Sequence, residues 1–307
     1  MVIDAHAHIF PRVQGLIAAG PTRGIGYGRV TVGNEQIQIM PPLSEKTIHT
    51  PEMLLSHMRW AGVDKVVLLQ GPFYGECNQY VRDAVEAYPD CLIGLAYLDP
   101  WDPDSEEKFK FVSSEKALVG VKLECSEATG FLGIHRRARL DDADVAWLWD
   151  ELERHGMVLV VDLGAVGSAS YQTEAMRGIA IEHPGLTIVI AHLAQPNPAV
   201  ESDEAKWKMW HQQIELGFLS NVYFDSASLP AYVANEGYPF PTAGRYLRIA
   251  IERIGPSKVM WGTDIPALLA HATYKQLLEA SRRHLDFLSE TELAMVLGEN
   301  AGRLYGH

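Results

Sequence analysis

The stretch VIDAHAH, residues 2–8, is one of eight short apolar runs that recur between longer amphipathic segments. The other seven are Lys65–Gln70, Leu92–Leu98, Leu118–Glu124, Met157–Leu163, Thr187–His192, Asn221–Asp225 and Lys258–Asp264. Helical patterns lie between most of them, at Pro51–Ala61, Asn78–Tyr88, Ala143–His155, Tyr171–His183 and Arg245–Ile254. Eight apolar strands alternating with helices predict a closed parallel sheet. We therefore predict an α/β fold in which residues 1–307 form a single (β/α)8 TIM-barrel domain.

The alternative is a doubly wound open sheet. The sequence lacks the Gly-rich turn that usually follows the first strand of that fold.

Composition narrows the class of protein. The 307 residues are 47% hydrophobic and 21% charged, and the formal net charge is −13, which disfavours nucleic acid or an anionic membrane as a partner. No segment approaches the ~20 apolar residues of a membrane span. Cys77, Cys91 and Cys125 have the spacing of neither a disulfide framework nor a thiolate zinc site. We predict a cytoplasmic protein without nucleic-acid or membrane partners.

A long insertion separates the first strand from the first helix, at about residues 9–50. It contains Pro11, Pro21, Pro41 and Pro42 and the glycine-rich run 24–28, so regular structure is not expected through most of it. The insertion leaves the carboxyl end of a barrel strand, where active sites of this fold lie. We interpret it as a loop that covers the site, with a solvated excursion as the alternative.

Side-chain alternation along the first strand suggests a metal site. Alternate residues of a strand share a face, so Asp4, His6 and His8 are expected to point into the barrel. Ile3 and the two alanines between the polar residues would then face the helices. Two neutral imidazoles one pleat apart can bind one divalent cation.

The same alternation makes other strands polar at their last inward position. The expected shared faces are Val158, Val160 and Asp162 on the fifth strand, Ile188, Ile190 and His192 on the sixth, and Met260, Gly262 and Asp264 on the eighth. Buried carboxylates and imidazoles cost free energy unless they are paired or coordinated. Their convergence at one barrel mouth therefore indicates a bound metal.

Six motifs carry a family resemblance: DAHAH (4–8), NQYVRDAVEAYPDCLIGLAYLDP (78–100), GVKL (120–123), HPGLTIVIAHL (183–193), WGTDIP (261–266) and ENAGRLYG (299–306). Together they resemble the amidohydrolase superfamily over nearly the whole chain. The closest resemblance is to the branch that contains aminocarboxymuconate semialdehyde decarboxylase, nonoxidative aromatic acid decarboxylases and several lactonases. Members of this branch are often dimers, which gives the expectation of a homodimer.

The resemblance implies a divalent metal held by His6, His8 and Asp264, and catalytic roles for Asp264 and His192. The fifth strand of relatives usually ends in a metal-binding histidine, where this chain has Asp162. Two histidines and two carboxylates still form a divalent-metal site; zinc is expected first, and the harder oxygen donors favour manganese or magnesium as alternatives. A purely structural Asp162, or a lactonase without a tightly held metal, is the competing interpretation.

Further residues are expected around the substrate. Lys122 and Glu124 share a face of the fourth strand and should enter the barrel. We interpret Lys122 as a structural or substrate-contacting group rather than the carboxylated bridge of binuclear relatives, and Glu124 as its ion-pair partner or a substitute metal ligand. Arg136 and Arg137 follow this strand and are expected to bind a small anionic substrate, because guanidinium groups suit planar carboxylates. Tyr74, after the second strand, is expected to line the pocket.

These residues predict a metal-dependent hydrolase of a small carboxylated lactone, ester or amide. The alternative is a nonoxidative decarboxylase of a small unsaturated or aromatic acid. The resemblance tilts towards hydrolysis, because many decarboxylases of the branch carry glutamate in the first-strand motif where this chain has His6. A noncatalytic binding protein is disfavoured by His192 and Asp264 at their catalytic positions.

Overall fold

The computed structural model describes residues 1–233 and 235–306, and it contains the predicted barrel. Eight parallel strands follow one another in chain order around the sheet. They are β1 (Ile3–Ala7), β6 (Lys65–Leu68), β7 (Leu92–Tyr97), β8 (Leu118–Glu124), β9 (Val158–Asp162), β10 (Ile188–Ile190), β11 (Val222–Asp225) and β12 (Val259–Met260). The ring closes where the Ala5 N–H donates to the Trp261 carbonyl at 2.9 Å and Ala7 bridges to Ile265. The prediction of a (β/α)8 barrel is confirmed.

Helices surround the strands. They are α1 (Pro51–Ala61), α2 (Asn78–Ala87), α3 (Ser105–Ser114), α4 (Phe131–Ile134), α5 (Ala146–His155), α6 (Thr173–Glu182), α7 (Pro198–Glu201), α8 (Glu204–Ile214), α9 (Leu229–Tyr232), α10 (Pro241–Ile254), α11 (Tyr274–His284), α12 (Glu290–Ala294) and α13 (Asn300–Tyr305). Helix α1 shows why local signals located these elements: the Thr50 side chain accepts from the Met53 N–H, and left-handed Gly62 ends the helix. In the described part of the chain, no helix is both long and apolar enough to cross a membrane.

Two apolar clusters hold the barrel together. The inner cluster fills the barrel interior and includes Val67, Leu95, Val158, Val160, Val189 and Met260. The larger outer cluster joins the opposite faces of the same strands to the surrounding helices. The inner cluster leaves the carboxyl ends of the strands free for polar side chains.

The first strand departs from simple alternation because it contains an irregularity. Its register shifts between Asp4 and Ala7, which pair with Val66 and Leu68 respectively. Asp4 turns away from the interior, and its carboxylate accepts a 2.7 Å hydrogen bond from the Tyr274 hydroxyl of α11. The prediction that Asp4 shares the inward face with His6 and His8 is wrong: Ile3 and Ala5 on either side of it pack in the inner cluster, and the bulge between Asp4 and Ala7 breaks the alternation. The two histidines beyond the bulge do face inward.

The sixth barrel strand also departs from the prediction. Ile188 and Ile190 pack in the outer cluster and Val189 in the inner one, so the isoleucines do not share a face with His192. His192 enters the interior because residues 192–195 follow the strand in a left-handed turn, with φ of 59°, 49°, 57° and 58°. Four consecutive non-glycine residues in this region redirect the chain.

Strands occupy 17 of residues 9–50, so most of the insertion lies outside regular elements, but the strands that it contains were not predicted. They form an antiparallel sheet of β2 (Leu16–Ile17), β3 (Gly20–Gly26), β4 (Arg29–Val32) and β5 (Glu35–Gln38). The glycines that suggested a flexible loop serve its hairpins, since Gly28 and Gly33 adopt positive φ at the turns. Val30 and Met40 anchor the sheet against the barrel.

Candidate active site

A cavity of about 600 Å³ opens at the carboxyl ends of the barrel strands. Six predicted site residues line it: Tyr74, Lys122, Asp162, His192, Asp264 and His8. The insertion contributes Ile39, the end of β8 contributes Glu124, and the loop after β8 contributes Ser126 and Glu127. His6 lies beneath the cavity and is fully buried. The structure thus brings most of the predicted polar residues to one place.

Hydrogen bonds orient the two histidines of the first strand in the same way. His8 Nδ1 lies 2.8 Å from the Leu69 carbonyl oxygen, which can only accept, so Nδ1 carries a proton. His6 Nδ1 lies 3.0 Å from an Asp225 carboxylate oxygen. Both imidazoles therefore direct Nε2 towards Asp264, whose Oδ1 is 2.9 Å from His8 and 4.0 Å from His6.

This donor set fits a divalent cation. With its proton on Nδ1, neutral His8 presents a lone pair to a carboxylate oxygen only 2.9 Å away. Two lone pairs at that distance require a cation between them, either a proton or a metal. Imidazoles oriented through Nδ1 by carbonyl and carboxylate acceptors are also typical of metal ligands. His6, His8 and Asp264 form one group within the described residues that could hold an ion.

The electrostatics favour the protonation states that metal binding needs. Burial lowers the pKa of both His6 and His8, so the neutral imidazoles are favoured. Burial alone would raise the pKa of Asp264, but its contacts with the imidazoles of His8, His6 and His192 hold it well below its usual range. Metal ligands must be deprotonated, so these shifts agree with the geometry.

His192 forms a buried pair with Asp162. Its Nε2 lies 3.3 Å from Asp162 Oδ2, while the other carboxylate oxygen accepts from Gly164 N–H and Gln195 Nε2, each at 2.8 Å. Burial alone would lower the pKa of His192, but the Asp162 carboxylate raises it to about 9. This pair favours the imidazolium form of His192 at neutral pH.

The left-handed turn that carries His192 is fixed by hydrogen bonds. The His192 N–H donates to an Asp225 oxygen at 2.9 Å. Trp210 Nε1 donates to the Leu193 carbonyl at 2.9 Å, and the Tyr171 hydroxyl donates to the Ala194 carbonyl at 3.2 Å. Backbone in this region persists only where its surroundings determine it, and such residues concentrate at functional sites.

Lys122 and Glu124 both enter the barrel as predicted. Lys122 Nζ lies 3.3 Å from His6 Nε2 and 3.8 Å from Glu124 Oε2. Burial raises the pKa of Glu124 to about 7, and the nearby Asp162 carboxylate adds to the shift while Lys122 opposes it. Neither Glu124 nor Asp162 belongs to the groups of described residues whose atoms already stand close enough to share an ion. A metal-ligand role for either remains a prediction.

Arg136 and Arg137 do not line the active-site cavity. They lie on an adjacent cavity of about 690 Å³, which shares Glu127 with the first. The short helix α4 ends before them, and His135 is held to Asp99 by a 2.8 Å hydrogen bond. The two arginines therefore lie away from the strand ends. Their position in the sequence after the fourth strand did not predict their position relative to the site.

Two further residues belong to the site and were not predicted from the sequence. Asp225 ends the seventh strand and contacts both His6 and His192, while Ser228 donates a hydrogen bond to Asp264 Oδ2. The alternation test would have found Asp225, because it is the last inward position of its strand. Ser228 follows in a loop at a φ of 61°, and no periodic signal marks it.

Comparisons with known proteins agree with this architecture. A family model described as Amidohydrolase matches residues 3–307. The chain is similar to a probable 2-pyrone-4,6-dicarboxylic acid hydrolase from Acinetobacter baumannii with citric acid bound, at 18% identity and a TM-score of 0.71, covering 100% of this chain and 99% of that one. It is also similar to an amidohydrolase from Burkholderia multivorans with bound zinc, at 19% identity and a TM-score of 0.70, covering 99% of each chain. A third similar structure is 5-carboxyvanillate decarboxylase from Sphingomonas paucimobilis, at 19% identity and a TM-score of 0.58, covering 82% of this chain and 81% of that one. No curated protein matches the sequence significantly.

Proposed function

The chain belongs to the Amidohydrolase family, and on that premise we propose that it is a metal-dependent hydrolase of a small carboxylated lactone, ester or amide. One observation carries the proposal: His6 Nε2, His8 Nε2 and Asp264 Oδ1 converge beside a cavity large enough for a small molecule. Buried, oriented donors of this kind are costly to maintain for packing alone. Perturbed titratable groups in a cleft are typical of catalytic sites.

His6, His8 and Asp264 would hold the metal, and Asp162, which pairs with His192 in this structure, is the proposed fourth ligand. A bound divalent cation supplies Lewis-acid polarisation of a carbonyl group and acidifies water. Zinc is the first expectation because two donors are imidazoles, and the two carboxylates keep manganese or magnesium as alternatives.

The chain's own residues transfer the proton and stabilise the developing charge. The Asp264 carboxylate accepts the proton of the attacking water and passes it to the leaving group, while the Ser228 hydroxyl donates to Oδ2 and fixes the carboxylate plane. The His192 imidazolium stabilises negative charge that develops on the carbonyl oxygen. The hydrogen bonds from Gln195 and Gly164 to Asp162 keep the partner of His192 in place.

The cavity lining bears on the charge of the substrate. It contains the carboxyl groups of Glu124, Glu127, Asp162 and Asp264, against the cationic groups of Lys122 and His192. This excess of acidic groups would repel an anion in the metal-free protein, so a carboxylated substrate requires the metal in place. Of the lining residues, we assign Lys122 to the carboxylate of the substrate and Tyr74 to its apolar face. We propose Arg136 and Arg137 only as contacts for a substrate that extends into the adjacent cavity.

One observation favours decarboxylation as the second candidate. Glu124 is buried beside Lys122, and its pKa of about 7 makes it a competent proton donor near neutral pH. A decarboxylase needs such an acid to protonate the carbon that loses carbon dioxide. The imidazole pair of the first strand remains the reason to prefer hydrolysis.

A measurement of metal content followed by a substrate panel tests the proposal. The protein, purified without added ions, would be analysed for metals and then assayed on lactones, esters, amides and aromatic acids. Hydrolysis predicts acid release without carbon dioxide, whereas carbon dioxide release would establish the second candidate. Asp264→Asn serves as the matched inactive variant, and activity that survives in it would come from a contaminant.

Exchanging Asp162 for histidine should raise the preference for zinc over manganese. Asp162→His keeps a donor but removes a negative charge and adds a softer nitrogen, so the ratio of zinc to manganese affinity should rise about tenfold or more. A competition titration of wild type and variant with both ions measures the ratio. An unchanged ratio would place Asp162 outside the coordination sphere.

The pH profile should show an upper limb set by His192. Because the Asp162 carboxylate raises the pKa of His192 to about 9, the imidazolium is present below that pH and is lost as pH rises through it. We expect kcat to fall above pH ~9. Asp162→Asn removes the stabilising charge and should move the limb to lower pH, whereas a limb that stays in place would exclude His192 as its origin.

A further inference from the structure

Asp225 connects the two histidines on which the site depends. It is fully buried at the end of β11. One oxygen lies 3.0 Å from His6 Nδ1; the other accepts from the His192 N–H at 2.9 Å and from the Ala227 N–H at 3.0 Å. A single carboxylate therefore contacts the imidazole of one histidine and the backbone of the other.

Two neighbours impose the same tautomer on His6. A carboxylate accepts hydrogen bonds, so it favours a proton on Nδ1. On the opposite side of the ring, Lys122 Nζ lies 3.3 Å from Nε2, and an ammonium group can only donate. Nε2 must then present its lone pair, which is the form that binds a metal.

From these contacts we propose that Asp225 is a positioning residue: it sets the tautomer of His6 for metal binding and, through the same carboxylate, anchors the left-handed turn that carries His192. This inference rests on the proposed metal-dependent function. It assigns Asp225 no contact with substrate or metal. The hydrogen bonds of this one buried side chain thus connect the metal-binding strand β1 to the turn after β10.

The variant Asp225→Asn tests the proposal because it changes the donor pattern with little change in shape. The amide oxygen can still accept from the His192 N–H, so the amide nitrogen then faces His6 Nδ1. An amide N–H cannot accept, so a proton on Nδ1 loses its acceptor, and the tautomer with its proton on Nε2, which has no lone pair for the metal, gains population against the opposing Lys122. We expect metal affinity to fall about 10–100-fold, as for other residues that orient metal ligands.

The matched control is Asp99→Asn, which makes the same change opposite His135, 2.8 Å away. This pair contributes no residue to the cavity lining. Metal affinity in the control should equal that of wild type, measured by equilibrium dialysis with elemental analysis. Equal affinity in wild type and Asp225→Asn would overturn the proposal.

Nitrogen-15 chemical shifts of the histidine rings provide a readout that a merely structural role would not move. In the metal-free wild type, His6 should carry its proton on Nδ1, and in Asp225→Asn the population with the proton on Nε2 should rise. The wild-type measurement stands even if the variant fails to fold, and a proton on Nε2 there would refute the proposal. If the wild type binds no metal, the proposed function fails, but the tautomer of His6 still tests whether Asp225 positions its proton.

Metal stoichiometry separates this role from a competing one. His6, His192 and Asp225 also stand close enough together to share an ion. The positioning role predicts one ion per chain in the wild type. Two ions per chain, falling to one in Asp225→Asn, would make Asp225 itself a ligand and overturn the proposal.

Discussion

Replacing His8 by alanine should remove most of the bound metal and lower kcat/KM by about 10³-fold or more. His8 Nε2 faces Asp264 Oδ1 at 2.9 Å, so its loss opens the proposed coordination group and leaves a buried carboxylate without its partner. Metal catalysis contributes several kcal/mol to lowering a barrier, and each ~1.4 kcal/mol corresponds to a factor of ten. His6→Ala should behave in the same way.

Elemental analysis and steady-state kinetics on the same preparations check this expectation. His135→Ala is the matched control, since its imidazole also pairs with a carboxylate but contributes nothing to the lining of the active-site cavity. Full metal content in both first-strand variants would refute the metal assignment. Full activity with lost metal would favour a lactonase that needs no metal.

Replacing His192 by alanine should lower kcat by about 10²–10³-fold while leaving the metal bound. The imidazolium paired with Asp162 is one of the two cationic groups that line the cavity, and its effect is largest when charge develops on the substrate. KM should change little, because this interaction is realised mainly in the transition state. His183→Ala is the matched control, as His183 precedes the opposite end of β10.

The outcome for His192→Ala also separates two roles. Loss of metal together with turnover would make His192 a ligand, in the group that it forms with His6 and Asp225. Retained metal with a lowered kcat supports a role in the transition state. Unchanged kcat would remove His192 from the mechanism.

Asp4 and Asp225 show where sequence periodicity succeeded and failed. Both are polar residues in apolar strands, and alternation placed Asp4 inside the barrel with His6 and His8, whereas the bulge in β1 breaks that alternation and Asp4 contacts α11. Asp225 follows alternation, as Asp162 and Asp264 do, but alternation does not reveal which residues its carboxylate contacts. Its partners, His6 and His192, are 219 and 33 residues away.

Local signals did not reveal the small sheet within the insertion or the placement of the two arginines. Glycines and prolines predict turns, but they do not distinguish an irregular loop from a sheet of short hairpins. Arg136 and Arg137 have the chemistry of a carboxylate site, yet the path of the chain after α4 sets them on a neighbouring cavity.

The sequence by itself determined the eight strands and their alternation with helices. It also determined that five side chains lie near the carboxyl ends of the strands: His6, His8, Asp162, His192 and Asp264. These features depend on the hydrophobic period and on the direction of each strand, and both are local properties of the chain. Only the tertiary structure decided which face a residue takes after a bulge or a left-handed turn, and which nitrogen of each imidazole faces the cavity. Those outcomes depend on hydrogen bonds between groups far apart in the chain. Such bonds exist only once the barrel has closed and brought the strand ends together.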